Sequence, residues 1–236
     1  MKYTMKIAGL ERSLPLCPLN DDVYIAAFVI FGDPELTTAA AKELLARAPE
    51  YDYIITAESK GIPLAHEMSR LAGNRKYFLA RKAPKLYMDG VFEVTVRSIT
   101  TSGEQKLYMD KSDAEMIKGK RILIVDDVIS TGDSLRALEE LVAEAGGKIA
   151  GKMAILAEGD AQDRHDIIYL EKLPLFDSKG NVLPACEVGD IVFHGEMGVS
   201  LMKGYYNDEA ATNSCVDCKG WMRSGDKGYF DEGGWM

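Results

Sequence analysis

The chain predicts an α/β fold, a twisted parallel sheet with helices on both faces, and three observations lead there. Short runs rich in β-forming residues alternate with runs of helical periodicity. One of them, Ile122-Leu123-Ile124-Val125, contains no polar residue, the mark of a strand buried on both faces. The charged and hydroxyl-rich clusters follow strands, which places them together at the carboxyl edge of such a sheet.

Residues 1–18 mix short apolar pieces with Pro15 and Pro18, show no repeat and identify no element on their own. A strand is expected over 23–31, then Gly32-Asp33-Pro34 and an Ala/Leu-rich helix over 35–48 with Pro34 at its first turn. A second strand at 53–56 leads through Ala57-Glu58-Ser59-Lys60-Gly61 into a helix over 62–71. The third strand, 76–80, runs into Arg81-Lys82-Ala83-Pro84-Lys85, three cations within five residues. Residues 91–97 and 106–109 alternate apolar with polar around Thr100-Thr101-Ser102-Gly103, which reads as a hairpin with a polar tip, the shape of a lid. After the central strand the run 135–142 is helical and ends at Ala145-Gly146-Gly147. Strands at 150–156, 167–170 and 173–176 complete the pattern, with Glu158-Gly159-Asp160 between the first two.

The chemistry concentrates after Val125, where Asp126-Asp127 is followed by Val128-Ile129-Ser130-Thr131-Gly132-Asp133-Ser134 and then a helix. A small, hydroxyl-rich turn entering a helix N-terminus presents free backbone N–H groups to an anion, so it can seat a phosphate. Two carboxylates cannot hold a phosphate, but as pure acceptors they suit the hydroxyls of a sugar. A ribose 5-phosphate fits both halves. The run closely resembles the signature of type I phosphoribosyltransferases, which bind 5-phosphoribosyl diphosphate (PRPP).

That resemblance covers about residues 23–176 and implies the type I phosphoribosyltransferase fold, with a small hood from 1–33 and a flexible β-hairpin lid at about 84–109. It further implies that Asp126 and Asp127 hold the ribose hydroxyls, that residues 128–134 wrap the 5′-phosphate, and that Asp133 points outward where relatives often have glycine. Glu58, Ser59, Lys60 and Gly61 match the pyrophosphate loop, whose strained cis peptide would fall at Ser59–Lys60. Arg81, Lys82 and Lys85 match cations facing the pyrophosphate. Phe31 and Gly32 stand where adenine phosphoribosyltransferases carry Phe-Arg of the base-binding hood, and Leu156 matches a base-lining position. The lid lacks the Glu-Tyr-Gly of adenine-specific relatives, leaving Glu104 as the acid near the tip that could move a proton. The implied reaction is attack of a nucleobase nitrogen on the anomeric carbon with loss of pyrophosphate, as in purine salvage. It needs Mg²⁺ bound largely through PRPP, with no metal site assigned to protein side chains, and the resemblance implies a homodimer. Adenine, hypoxanthine, guanine, xanthine and orotate are not separated at this stage, and a PRPP-binding regulator of the same fold without transferase activity stands as the alternative.

Composition sets bounds. The net charge of −9 argues against non-specific nucleic-acid binding. The longest apolar run is too short for a membrane span, and Glu11 and Arg12 interrupt any secretory core, so cytoplasmic residence is expected. Four scattered cysteines fit a reducing compartment, and Cys215 with Cys218 lacks a second pair for zinc. From Cys186 the alternation of strands and helices gives way to Gly- and aromatic-rich sequence. Segments around 189–195, 202–212 and 220–231 resemble consecutive motifs of adenylate-forming acyl-activating enzymes, with Asp226 matching the aspartate that holds the AMP ribose. No ATP loop precedes them and no terminal subdomain with its lysine follows, so residues 184–236 are expected to be an inactive appended fragment beside a phosphoribosyltransferase domain at 1–183.

Overall fold

The structure, a computed structural model, describes every residue except 21–22, 75, 98–103, 184–188, 197, 206–207, 209–211, 213–214, 217–220 and 229–236. Two compact units divide the chain, Met1–Val182 and Leu183–Met236.

The first eighteen residues, unreadable as sequence, pair as a hairpin of β1 (Lys2–Ile7) and β2 (Leu10–Pro18). Ala8 and Gly9 form its two-residue turn, both at positive φ, which matches the right-handed twist of the strands. The expected strand over 23–31 is regular only as β3 (Tyr24–Ala26), which pairs with β2. Beyond it the chain leaves the sheet, burying Phe28 and Ile30 while exposing Val29 and Phe31.

Helix α1 (Pro34–Arg47) begins where Asp33 accepts the amide of Leu36. Then follow β4 (Tyr53–Ala57), α2 (Ile62–Leu71) and β5 (Phe78–Ala80). The hairpin is β6 (Val91–Arg97) against β7 (Glu104–Asp110). Its inward residues Val94, Val96, Leu107 and Met109 are buried in one core with α4 (Asp133–Glu144), so its body is fastened to the domain. Helix α3 (Lys111–Ile117), which periodicity did not reveal, packs Ala114 and Ile117 into the same core. Seven residues are too few for a helical pattern to stand out.

The central strand β8 (Arg121–Ile129) runs through both acids instead of stopping before them. Its neighbour β9 (Lys148–Glu158) keeps pairing that far, matching Asp126 to Ala154 and Val128 to Leu156, and the ladder overrides the poor strand propensity of aspartate. After a 3-10 turn at Gly159–Asp163 come β10 (Ile168–Leu173) and β11 (Leu175–Phe176). Strands β10-β9-β8-β4-β5 form a parallel sheet, and β1-β2-β3-β11 form an antiparallel one. Ile122 and Ile124 enter the apolar layer beneath α4 and the hairpin, while Leu123 and Val125 enter the layer with α1 and α2. All four are at most 1% exposed, and at roughly 1.5–3 kcal/mol for each buried aliphatic side chain they pin the strand that carries the acids. No described helix is long and apolar enough to cross a membrane.

The second unit contains an antiparallel pair, β12 (Gly189–His194) and β13 (Trp221–Gly228), with a register shift between Asp190 and Val192. The Thr212 hydroxyl accepts the amide of Tyr205 and donates to the carbonyl of Asp208. Cys218 and the side chain of Asp226 lie outside the described residues.

Candidate active site

Four helices show two kinds of beginning. Asp33 and Asp110 cap α1 and α3 with their own carboxylates. Gly61 and Gly132 begin α2 and α4 with no side-chain cap, which leaves first-turn amides without a side-chain acceptor. Both uncapped ends lie at the carboxyl edge of the parallel sheet, following β4 and β8 respectively. Gly132 sits at φ +84°, a left-handed conformation that lets the loop turn back into the helix.

Between these ends lies a cavity of about 260 Å³ lined by Glu58, Ser59, Lys60, Lys82, Asp126, Asp127 and the loop residues 128–132 and 134. Asp133 is the one residue of the 128–134 loop that does not line it. The Thr131 hydroxyl lies 3.5 Å from the Asp133 carboxylate.

Asp127 is 2% exposed, and Lys60 Nζ stands 3.0 Å from its Oδ2. This is ion-pair distance without hydrogen-bond alignment, so Oδ2 remains a buried acceptor without a hydrogen bond. The Asp127 amide donates to Asp126 Oδ1 at 2.9 Å. Burial, and after it the like charge of Asp127, pushes the Asp126 carboxyl up to about 7. A third acid, Glu158 at the end of β9, receives the Ser130 hydroxyl and is also raised, chiefly by burial. The strand expected over 150–156 runs on to Glu158, whose placement beside the loop comes from the pairing of β9 with β8.

The raised Asp126 carries a stability signature. Its contribution is fully present below the ordinary carboxylate range, near pH 4, and is lost as pH rises through about 7. Ligand-free protein is therefore expected to gain stability from this group between pH 8 and pH 5. Asp126→Asn removes that dependence and leaves the variant more stable than the parent at pH 8 by on the order of 2 kcal/mol, as read by denaturant unfolding at both pH values. Equal pH dependence in the two proteins would reject the assignment.

The other expected residues divide. Arg81 Nη1 donates to Glu58 Oε1 at 3.1 Å, and Lys85 Nζ lies 4.0 Å from the same oxygen, so these two are drawn to Glu58 and do not line the cavity. Arg81 also exchanges two backbone bonds with Tyr108, fastening the base of the hairpin to the end of β5. Gly61 does not line this cavity, yet a Cβ built on it would stand 2.2 Å from Thr56 Oγ1 and 2.9 Å from Asp126 Oδ1. Leu156 is fully buried in the core with α1 and α2 and does not line the cavity. The cis peptide expected at Ser59–Lys60 stands one bond earlier, at Glu58–Ser59. The hairpin tip at 98–103 and the side chain of Glu104 lie outside the described residues.

Phe31 and Gly32 line a second cavity, of about 560 Å³, that shares Ser59 with the first. Phe31 is 49% exposed and so is not a core aromatic. Among the described residues no group of three or more His, Cys, Asp or Glu is arranged to hold a metal.

The family model for the phosphoribosyl transferase domain matches residues 34–184. A hypoxanthine/guanine phosphoribosyltransferase of Methanotorris igneus is 30% identical over 189 residues, 74% of this chain and 99% of that protein. An orotate phosphoribosyltransferase of Caldanaerobacter subterraneus is 26% identical over 174 residues, 72% of this chain and 80% of that one. A solved adenine phosphoribosyltransferase from Rhodothermus marinus superposes with a TM-score of 0.52 at 25% identity, covering 61% of this chain and 83% of that one.

Proposed function

This chain is a phosphoribosyltransferase, belonging to the phosphoribosyl transferase domain family, and from that premise we propose that it transfers ribose 5-phosphate from PRPP to a purine base. The observation that carries the choice of base is the second cavity. Its aromatic wall, Phe31, offers a stacking face next to the ribose site, and its lining holds Asp33 and Glu67 but no lysine or arginine. Asp33 and Glu67 are each bonded by an arginine outside the lining, Arg12 and Arg70, so the carboxylate of orotate would find no lysine or arginine in this lining to pair with, whereas a neutral purine needs none.

In this reading the ribose hydroxyls donate to Asp126 and Asp127, and Lys60, displaced from Asp127, turns with Lys82 toward the pyrophosphate. The uncapped amides of α4 take the 5′-phosphate. Adjacent carboxylates with an orphaned oxygen, facing an anionic ligand, fit Mg²⁺ carried in by PRPP, which supplies charge neutralisation for the leaving group. The acids oppose the positive charge that builds on the sugar as pyrophosphate departs. Incubation with PRPP, Mg²⁺ and one base at a time, with pyrophosphate measured, is expected to show turnover with a purine and none with orotate. Turnover with orotate alone would overturn the choice.

We also place the catalytic unit within 1–183. The sheet and both cavities are built from residues before 183. Truncation after Leu183 keeps Val182 and its bridge to Phe176, and is expected to retain transferase activity within about threefold. An insoluble or inactive truncated protein would count against this boundary.

A further inference from the structure

The strand order β10-β9-β8-β4-β5 places the acids in the middle of the sheet, and the cations of the cavity, Lys60 and Lys82, come from the β4 and β5 side. A ligand with phosphates at both ends of its sugar also needs positive charge on the β9 side, beside the loop. Arg164, just past the 3-10 turn that follows β9, supplies it.

Its guanidinium is held from behind. Nε and Nη2 donate to the two oxygens of Asp166 at 2.9 and 2.7 Å. Asp166 in turn receives Lys152, which also donates to Glu139 on α4 at 2.6 Å. The network anchors the arginine to β9 and to the helix that the loop opens, and it leaves Nη1 outside the fork. Nη1 approaches the loop itself: a Cβ built on Gly132 would stand 2.8 Å from it, so the guanidinium comes this close because residue 132 has no side chain. Gly132 lines the cavity whereas Arg164 itself does not, so the guanidinium reaches the site only past the bare Cα of Gly132, and the acids Asp126, Asp127 and Glu158 stand on or beside that loop. A doubly charged phosphate entering among those acids is opposed unless a cation is fixed beside it.

We infer that Arg164 is a binding residue for the 5′-phosphate, its Nη1 pre-aimed by Asp166 and Lys152 as positioning residues, so that the phosphate is held by a charge-assisted bond as well as by amides. The inference rests on the PRPP reading above and adds a ligand that the sequence motif does not contain. The experiment is calorimetric titration of the full-length protein with ribose 5-phosphate and, separately, with pyrophosphate and Mg²⁺. Arg164→Gln is expected to weaken ribose 5-phosphate at least tenfold while pyrophosphate affinity stays within about twofold. Lys60→Gln is expected to show the reverse selectivity. Arg164→Lys keeps the charge but not the fork, and is expected to fall between the parent and Arg164→Gln. Equal loss of both ligands in Arg164→Gln and Arg164→Lys, or loss of neither, overturns the role of Arg164 while the PRPP site stands. Parent protein that binds neither ligand nor PRPP overturns the site reading itself.

Discussion

Replacing Asp126 and Asp127 together with asparagine is expected to lower pyrophosphate release from PRPP about a thousandfold, the scale of losing electrostatic groups aimed at transition-state charge. Both side chains line the cavity at the end of a strand whose preceding four residues are fully packed, so they are held firmly at the proposed sugar site. Asparagine has nearly the shape of aspartate and can still accept from a ribose hydroxyl. What it cannot do is oppose a positive charge growing on the anomeric carbon. The fold should survive, because the substitution removes both the buried charge and the like-charge repulsion that raise Asp126, and Lys60 has solvent available once its partner at Asp127 is neutral. Initial rates at saturating PRPP, with unfolding curves alongside, provide the check. Undiminished turnover in a folded double variant would remove the acids from the mechanism.

Gly61→Ala is expected to lower kcat/KM about a hundredfold and to destabilise the protein by about 1–3 kcal/mol, the usual penalty for an added methyl in a packed site. The new methyl would meet Thr56 Oγ1 at 2.2 Å and Asp126 Oδ1 at 2.9 Å, with the Asp126 Cα at 3.3 Å behind it. Thr56 is fully buried and cannot swing away, so the carboxylate moves instead. A shift of about an ångström in a group proposed to hold the sugar is enough for a loss of that size. The clash has a specific remedy: Thr56→Ala removes the oxygen, and its hydroxyl has no hydrogen bond to lose. The double variant is therefore expected to recover most of the stability of Gly61→Ala, and a double-mutant cycle measures the recovery. No coupling between the two positions would show that the methyl is accommodated elsewhere.

Much of this site was legible because its signals are local. A strand with no polar member, two acids and a glycine turn into a helix lie within thirteen consecutive residues, and the structure brings residues 126–132 and 134 to one cavity. Lys60 and Lys82 were legible in the same way, as charges directly after strands. Arg81 and Lys85 looked equivalent to them, yet Glu58 draws both aside; a run of charge does not reveal which members a neighbouring carboxylate will claim. Leu156 illustrates the opposite limit, since an apolar residue in a strand reads alike whether it faces a ligand or the core.

Local patterning alone determined the parallel α/β order, the glycine turn into the helix and the pair of acids, because strand and helix periodicity and turn chemistry act over a few neighbouring residues. Tertiary structure decided the rest: the amino-terminal hairpin, the course of β8 through its acids, the closeness of Gly61 to Asp126, and the arrival of Glu158 and Arg164 beside the loop. Each of these depends on which strand pairs with which, and pairing joins residues whose separation along the chain leaves no periodic trace.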